Sequence, residues 1–169
     1  MEHLWLIGMM GSGKSEVAGR VAMLNGVQSI DLDERIAGTA GRSISSIFEE
    51  AGEDGFRRLE ATALRAASRE PRSVIATGGG AVLSTENVMI MRETGTVIHL
   101  VAAPAVLVGR IGDDAERPLL AGGEAAERLS RILSERAPLY AGASDRAIDT
   151  DCLSAAEVAE RANALWKQS

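Results

Sequence analysis

The eight residues Gly8-Met-Met-Gly-Ser-Gly-Lys-Ser15 constrain this chain more than any other feature, because they complete a Gly-x-x-x-x-Gly-Lys-Ser pattern directly behind the apolar run Leu4 to Ile7. Glycines at these spacings let backbone N–H groups turn inward on phosphate oxygens, and a helix starting at the end of the loop adds the positive end of its dipole. Val17, Val21 and Leu24 recur at helical spacing and supply that helix with an apolar face. Strand, loop and helix are all in place for a phosphate-binding loop over residues 8–15. Gly11, Ser12 and Gly13 form its cradle, and Lys14 reaches toward the β and γ phosphates of ATP. Ser15 offers its hydroxyl to Mg2+, a cation that takes few protein ligands.

Further β-rich runs at 28–31, 73–76, 96–101 and 146–149 join the first at 3–7, with helical patterns between them. Five strands alternating with helices predict a mainly parallel sheet covered by helices on both faces, with ligands bound beyond the carboxyl ends of the strands. Ser43 ahead of Ile44 and Ile47, and Ser154 with Glu157 three residues on, mark helix starts. The polar, glycine-bounded stretch 112–123 has no period and predicts a mobile loop. With no repeat or linker, residues 1–169 are expected to form one domain.

Composition narrows the partners. A net charge of −6 and 3% aromatic residues argue against a nucleic-acid surface, which needs a basic stripe and stacking platforms. No apolar stretch approaches the roughly 20 residues that span a bilayer. The N-terminus lacks the basic start, apolar stretch and cleavage site of an export signal. A cytoplasmic protein with no membrane contact is expected. The lone Cys152 makes neither an internal disulfide nor a Cys-based metal site.

Phosphoryl chemistry also needs a carboxylate near the metal. The run 28–31 ends in Asp31, with Asp33 two residues on, which leaves Asp31 as the best metal-side candidate; the alternative is that either residue merely caps the next helix. Asp-x-x-Gly and Asn-Lys-x-Asp are both absent, which removes most of the weight from a GTP-driven switch, and the motifs of protein kinases are missing too. A small-molecule kinase remains.

Several further motifs recur in order: Asp31-Leu-Asp33; Gly41-Arg-Ser-Ile-Ser-Ser-Ile-Phe48; Gly52-Glu53 followed by Phe56-Arg-Arg-Leu-Glu60; Thr77-Gly-Gly-Gly80; Arg117-Pro-Leu-Leu120; and Arg136-Ala-Pro-Leu-Tyr140. Together with the loop at 8–15 they run over nearly the whole chain, and the sequence resembles the shikimate kinase family. The resemblance implies a three-layer α/β/α P-loop kinase fold with a five-stranded parallel sheet, a helical substrate-binding region at 33–61 and a lid at 112–123. It implies transfer of the γ-phosphate of ATP to the 3-hydroxyl of shikimate, a small carboxylated ring, in aromatic amino-acid synthesis. The family is commonly monomeric, so a monomer is expected.

Arginine forks bond carboxylates in pairs, and the resemblance gives that role to Arg57 and Arg136. Arg57 and Glu60 lie three apart on a predicted helix, close enough to meet, whereas Arg58 points about 100° away. Spacing alone leaves the two arginines open; the family's Phe-Arg-x-x-Glu pattern selects Arg57. Gly78, Gly79 and Gly80 let substrate approach the main chain, with the Gly79 N–H as a further donor. Phe48 and Phe56 either wall the same pocket or belong to the core. The family resemblance makes Asp33 the group that orients the substrate hydroxyls and accepts a proton, and Arg117 the lid residue that closes on the phosphates.

Two departures stand out. Glu16 occupies the position where the family usually has a second hydroxyl residue, close to the α-phosphate, and residues 149–154 lack the basic residue often found on the adenine side. Arg110 is the candidate for stacking on adenine. These departures motivate the rival reading of a nucleotide-binding regulator without transfer activity, beside a gluconate or nucleoside-monophosphate kinase.

Overall fold

A computed structural model describes residues 2–111 and 125–168 of the chain. Five strands, β1 (His3–Ile7), β2 (Gln28–Asp31), β3 (Ser73–Ala76), β4 (Gly95–Val101) and β5 (Arg146–Asp149), form one parallel sheet in the order β2-β3-β1-β4-β5. Between them run α1 (Lys14–Asn25), α2 (Leu32–Ala40), α3 (Ile44–Ala67), α4 (Thr85–Thr94), α5 (Pro104–Ile111) and α6 (Ala125–Ala143), and α7 (Ala155–Trp166) follows β5. A single 3-10 turn, Ala81–Leu83, links β3 to α4.

The central strand reads as a continuous apolar run because both of its faces are covered. Successive side chains alternate sides. Leu4 and Leu6 pack with Val17, Val21, Val158 and Trp166 from α1 and α7. Trp5 and Ile7 pack with Leu64, Met91 and Tyr140 from α3, α4 and α6. These two cores make the three layers. A smaller cluster of Ile36, Ile47 and Phe56 ties α2 to α3, away from the sheet. Among the described residues, no helix is long and apolar enough to cross a membrane.

Local chemistry explains most boundaries. Ser43 caps α3 by accepting from the Ser46 N–H at 3.2 Å, and Ser154 with Glu157 forms a full capping box on α7. Helix α3 is broken at Gly52, whose φ of 68° no helix interior allows.

Two expectations need correction. Leu24 does not belong to the buried face of α1: it is 57% exposed, while Val17, Ala18, Val21 and Ala22 are buried. The alanines widen the buried arc and shift its centre, at about 100° per residue, so that Leu24 falls at its edge. Strand β4 begins one residue earlier than 96, because Gly95 pairs with His3 and carries the ladder through a residue that reads as a strand breaker.

Candidate active site

The phosphate-binding loop joins β1 to α1. Gly11 and Gly13 hold φ of 80° and 87°, a region other residues rarely adopt, and Gly13 caps α1 without any side-chain bond to the first-turn amides. Those amides and the helix dipole are left for an anion. The buried Lys14 donates from Nζ to the carbonyls of Gly8 and Met9, both at 2.9 Å, bracing the loop from within. Ser12 Oγ is buried and has no hydrogen-bond partner among the described residues.

Asp31 has two jobs at once. One carboxylate oxygen caps α2, accepting from the N–H groups of Asp33 at 2.9 Å and Glu34 at 3.2 Å, and the other accepts from the Ser15 hydroxyl. The capping reading is thus met, and the same residue also holds the Ser15 hydroxyl. A hydroxyl and a carboxylate joined at the end of the phosphate loop form a hard-oxygen pair, the donor type that suits a divalent cation retaining most of its waters. The residues present fit such an ion.

A cavity of about 470 Å³ opens at the carboxyl ends of β1, β2 and β3. Ser15, Asp31, Asp33, Arg57, Gly78, Gly79, Gly80 and Arg136 all line it. Arg57 donates to Glu60 Oε2 at 2.8 Å and to Glu53 Oε1 at 3.0 Å, and lies 5.3 Å over the Phe56 ring. Burial pulls the Arg57 guanidinium down, but the two glutamates outweigh it and hold it above its ordinary value. Glu60 is 1% exposed; burial pushes its carboxyl up, against the pull of Arg57 and Arg136. Arg58 is exposed, as its place on the helix requires.

The glycine turn after β3 is shaped by what crowds it. A Cβ on Gly78 would lie 2.7 Å from Glu60 Oε1 and 2.8 Å from Asp33 Oδ1, and one on Gly80 would strike the Arg57 guanidinium. Only bare backbone lets these charged groups converge. The Gly79 carbonyl accepts from Tyr140 Oη at 2.5 Å and from Arg136 Nη1 at 3.2 Å. Phe48 and Phe56 stack 4.6 Å apart; both line the cavity while Phe56 also enters the α2–α3 core, so wall and core are one surface.

Glu16 and Arg110 are placed elsewhere, lining a second cavity of about 330 Å³ with Thr150 and Leu153. Arg110 donates to Thr150 Oγ1 at 2.9 Å and to the Thr150 carbonyl at 2.6 Å, and Glu16 is paired with Arg20 at 2.9 Å. Ser15 and Glu16 thus line different cavities. Arg117 and the expected lid at 112–123 lie outside the described residues.

Sequence reasoning missed three contributors. Glu53 sits four residues before Arg57, a spacing that could have revealed it. Tyr140 belongs to a quoted motif but had no assigned task. His99 had no signal at all: a strand residue, it stacks on Tyr140 with ring centroids 4.7 Å apart, and burial together with Lys14 lowers its pKa to about 4.

A family model described as shikimate kinase matches residues 10–165. Shikimate kinase of Thermoanaerobacter pseudethanolicus is 41% identical over 160 residues, covering 95% of this chain and 93% of that protein. That of Geobacter metallireducens is 42% identical over 150 residues, covering 89% and 83%. Among solved structures, shikimate kinase from Acinetobacter baumannii in complex with shikimate superposes with a TM-score of 0.96 at 32% identity, covering 99% of this chain and 94% of that one. With a phosphate loop, two arginine forks and a glycine turn assembled around one cavity, and relatives alike over almost their whole length, this chain belongs to the shikimate kinase family.

Proposed function

We propose that the enzyme transfers the γ-phosphate of ATP to the 3-hydroxyl of shikimate, giving shikimate 3-phosphate and ADP. The observation that carries this reading is the convergence of Arg57, Arg136, Asp33 and the glycine turn on the cavity that also holds Ser15 and Asp31. A cavity with two guanidinium forks suits a small anion bearing a carboxylate, and the neighbouring carboxylate of Asp33 suits its hydroxyls.

In this reading Arg57 and Arg136 hold the carboxylate of shikimate, helped by the amide of Gly79, while Gly78 and Gly80 admit the ring closely. Asp33 orients the 3-hydroxyl. As the hydroxyl oxygen bonds to the γ-phosphorus and the bond from that phosphorus to the β–γ bridging oxygen breaks, Asp33 accepts the hydroxyl proton. The transition state is loose and rich in negative charge, so positioning and fixed cations outweigh base strength. Lys14 and the amides of Gly11, Ser12 and Gly13 take the phosphates; Glu16 lies beside them and Arg110 beside the adenine. Ser15 and Asp31 would hold Mg2+, which when bound neutralises phosphate charge. Arg117 is assigned to the phosphates on family resemblance alone.

The acidic net charge supports an enzyme that works without nucleic acid, and the family supports a cytoplasmic monomer. Coupled assays of ADP release with shikimate, gluconate and nucleoside monophosphates as acceptors test the substrate. Stimulation by shikimate alone is expected. Turnover on another acceptor, or tight ATP binding with none, would move the assignment to the rival kinases or to a regulator.

A further inference from the structure

We propose that Tyr140 is a positioning residue for the acceptor substrate: its hydroxyl, with the Arg136 guanidinium, fixes the peptide plane between Gly79 and Gly80 so that the Gly80 N–H faces the cavity as a second donor beside the Gly79 amide. This deepens the functional reading above and rests on it.

The turn controls two of its three carbonyls by itself. Gly78 O accepts from the Ala81 N–H at 3.2 Å, and Gly80 O from the Leu83 N–H at 3.0 Å. The Gly79 carbonyl is the one its own backbone leaves open, and Tyr140 Oη at 2.5 Å and Arg136 Nη1 at 3.2 Å take it. A peptide group is planar and trans, so a carbonyl pulled toward α6 sends the Gly80 N–H the opposite way. With glycine on both sides of the bond, steric barriers to flipping that plane are low. A flipped plane would present an oxygen to an incoming anion where an N–H is needed.

Tyr140 is built to be a rigid donor. It is 0% exposed, burial pushes its pKa up to about 12, and the phenol keeps its proton at any working pH. Its ring is clamped by the His99 stack at 4.7 Å and 20°, and its oxygen lies 3.7 Å from Met9 Sδ in the phosphate loop. Gly79 itself lies against that loop, since a Cβ there would be 3.5 Å from Met10 N and 3.6 Å from Gly8 O. Tyr140 therefore props the substrate turn against the nucleotide loop.

Tyr140→Phe keeps the ring, its stack and its burial and removes only the hydroxyl. Loss of one buried donor predicts a rise in KM for shikimate of about fivefold to twentyfold, with kcat and KM for ATP within about twofold of the parent. A purely structural role would lower melting temperature and active fraction without moving KM for shikimate, and that result overturns the proposal, as does an equal rise in KM for ATP. If the variant does not fold, His99→Ala and His99→Phe read the same support: KM for shikimate rises for Ala and returns for Phe, which keeps the stack. Parent values for both overturn the proposal. Failure of the parent enzyme to phosphorylate shikimate would instead defeat the functional reading, before any variant is compared.

Discussion

Arg57→Ala separates folding from substrate binding, because Arg57 is paired with the buried Glu60 and is also the residue proposed to hold the substrate carboxylate. Its partner Glu60 is 1% exposed and bonded to it at 2.8 Å, whereas the second partner, Glu53, has a 52% exposed side chain. Removing the arginine costs little at Glu53, where surface pairs contribute up to about 1 kcal/mol. At Glu60 it leaves a buried carboxylate without its main cation, a situation that costs about 3–5 kcal/mol. Arg136, which also pulls on Glu60, offsets part of this, so a loss of roughly 3 kcal/mol is expected by urea unfolding. The double variant Arg57→Ala/Glu60→Gln removes the stranded charge and regains at least half of that loss. Affinity for shikimate does not return, since the carboxylate fork is still missing, and KM stays raised by about a hundredfold in both variants. The pH dependence has a definite sign. Glu60 has a raised folded pKa, so as an acid it costs stability at neutral pH and returns it as pH falls through that value. The destabilisation by Arg57→Ala accordingly shrinks on acidification. A double variant no more stable than the single one would refute the buried-charge argument, and one with restored shikimate affinity would refute the clamp.

Two other perturbations probe the nucleotide side. Asp31→Asn keeps a good N-cap on α2 but loses the charge facing Ser15; stability should hold within about 0.5 kcal/mol while the Mg2+ concentration for half-maximal rate rises roughly tenfold, whereas Asp31→Ala also loses about 1 kcal/mol. An unchanged Mg2+ requirement in both would contradict the metal-side role. His99, with its pKa lowered from 6.5 to about 4, is neutral in the fold, so its contribution is complete above about pH 6.5 and is lost as pH falls toward 4. Screening of the partly exposed ring limits this to about 1 kcal/mol, and acid melts of His99→Phe should lack that part of the slope; identical slopes would count against it.

Much of this architecture is legible from sequence because buried parallel strands announce themselves. The apolar runs at 3–7 and 73–76 end where the buried strands β1 and β3 end, at a glycine and a polar turn, while the short runs at 28–31 and 146–149, largely exposed at the sheet edges, each end on an aspartate where β2 and β5 end. Motif chemistry likewise carries Ser15, Asp31, Asp33, Arg57, the glycine turn and Arg136 to one cavity. What stays hidden depends on contacts between elements distant in sequence. Alanine gives little hydrophobic signal, so Ala18 and Ala22 conceal the true face of α1 and make Leu24 look buried. The Tyr140 to Gly79 bond spans 61 positions, and the His99 to Tyr140 stack joins β4 to α6; neither has a local pattern to betray it. Asp31 shows a further limit, since spacing cannot reveal that a carboxylate has two oxygens with separate tasks.

In the proposed reaction the phosphoryl group travels from ATP to one hydroxyl of shikimate. The most direct measurement is phosphorus and carbon NMR of the product after incubation of the enzyme with ATP, Mg2+ and shikimate. One phosphate monoester is expected, coupled to C3 of the ring and formed in equal amount with ADP. Inorganic phosphate in place of the ester, or a phosphate on another ring oxygen, would contradict it.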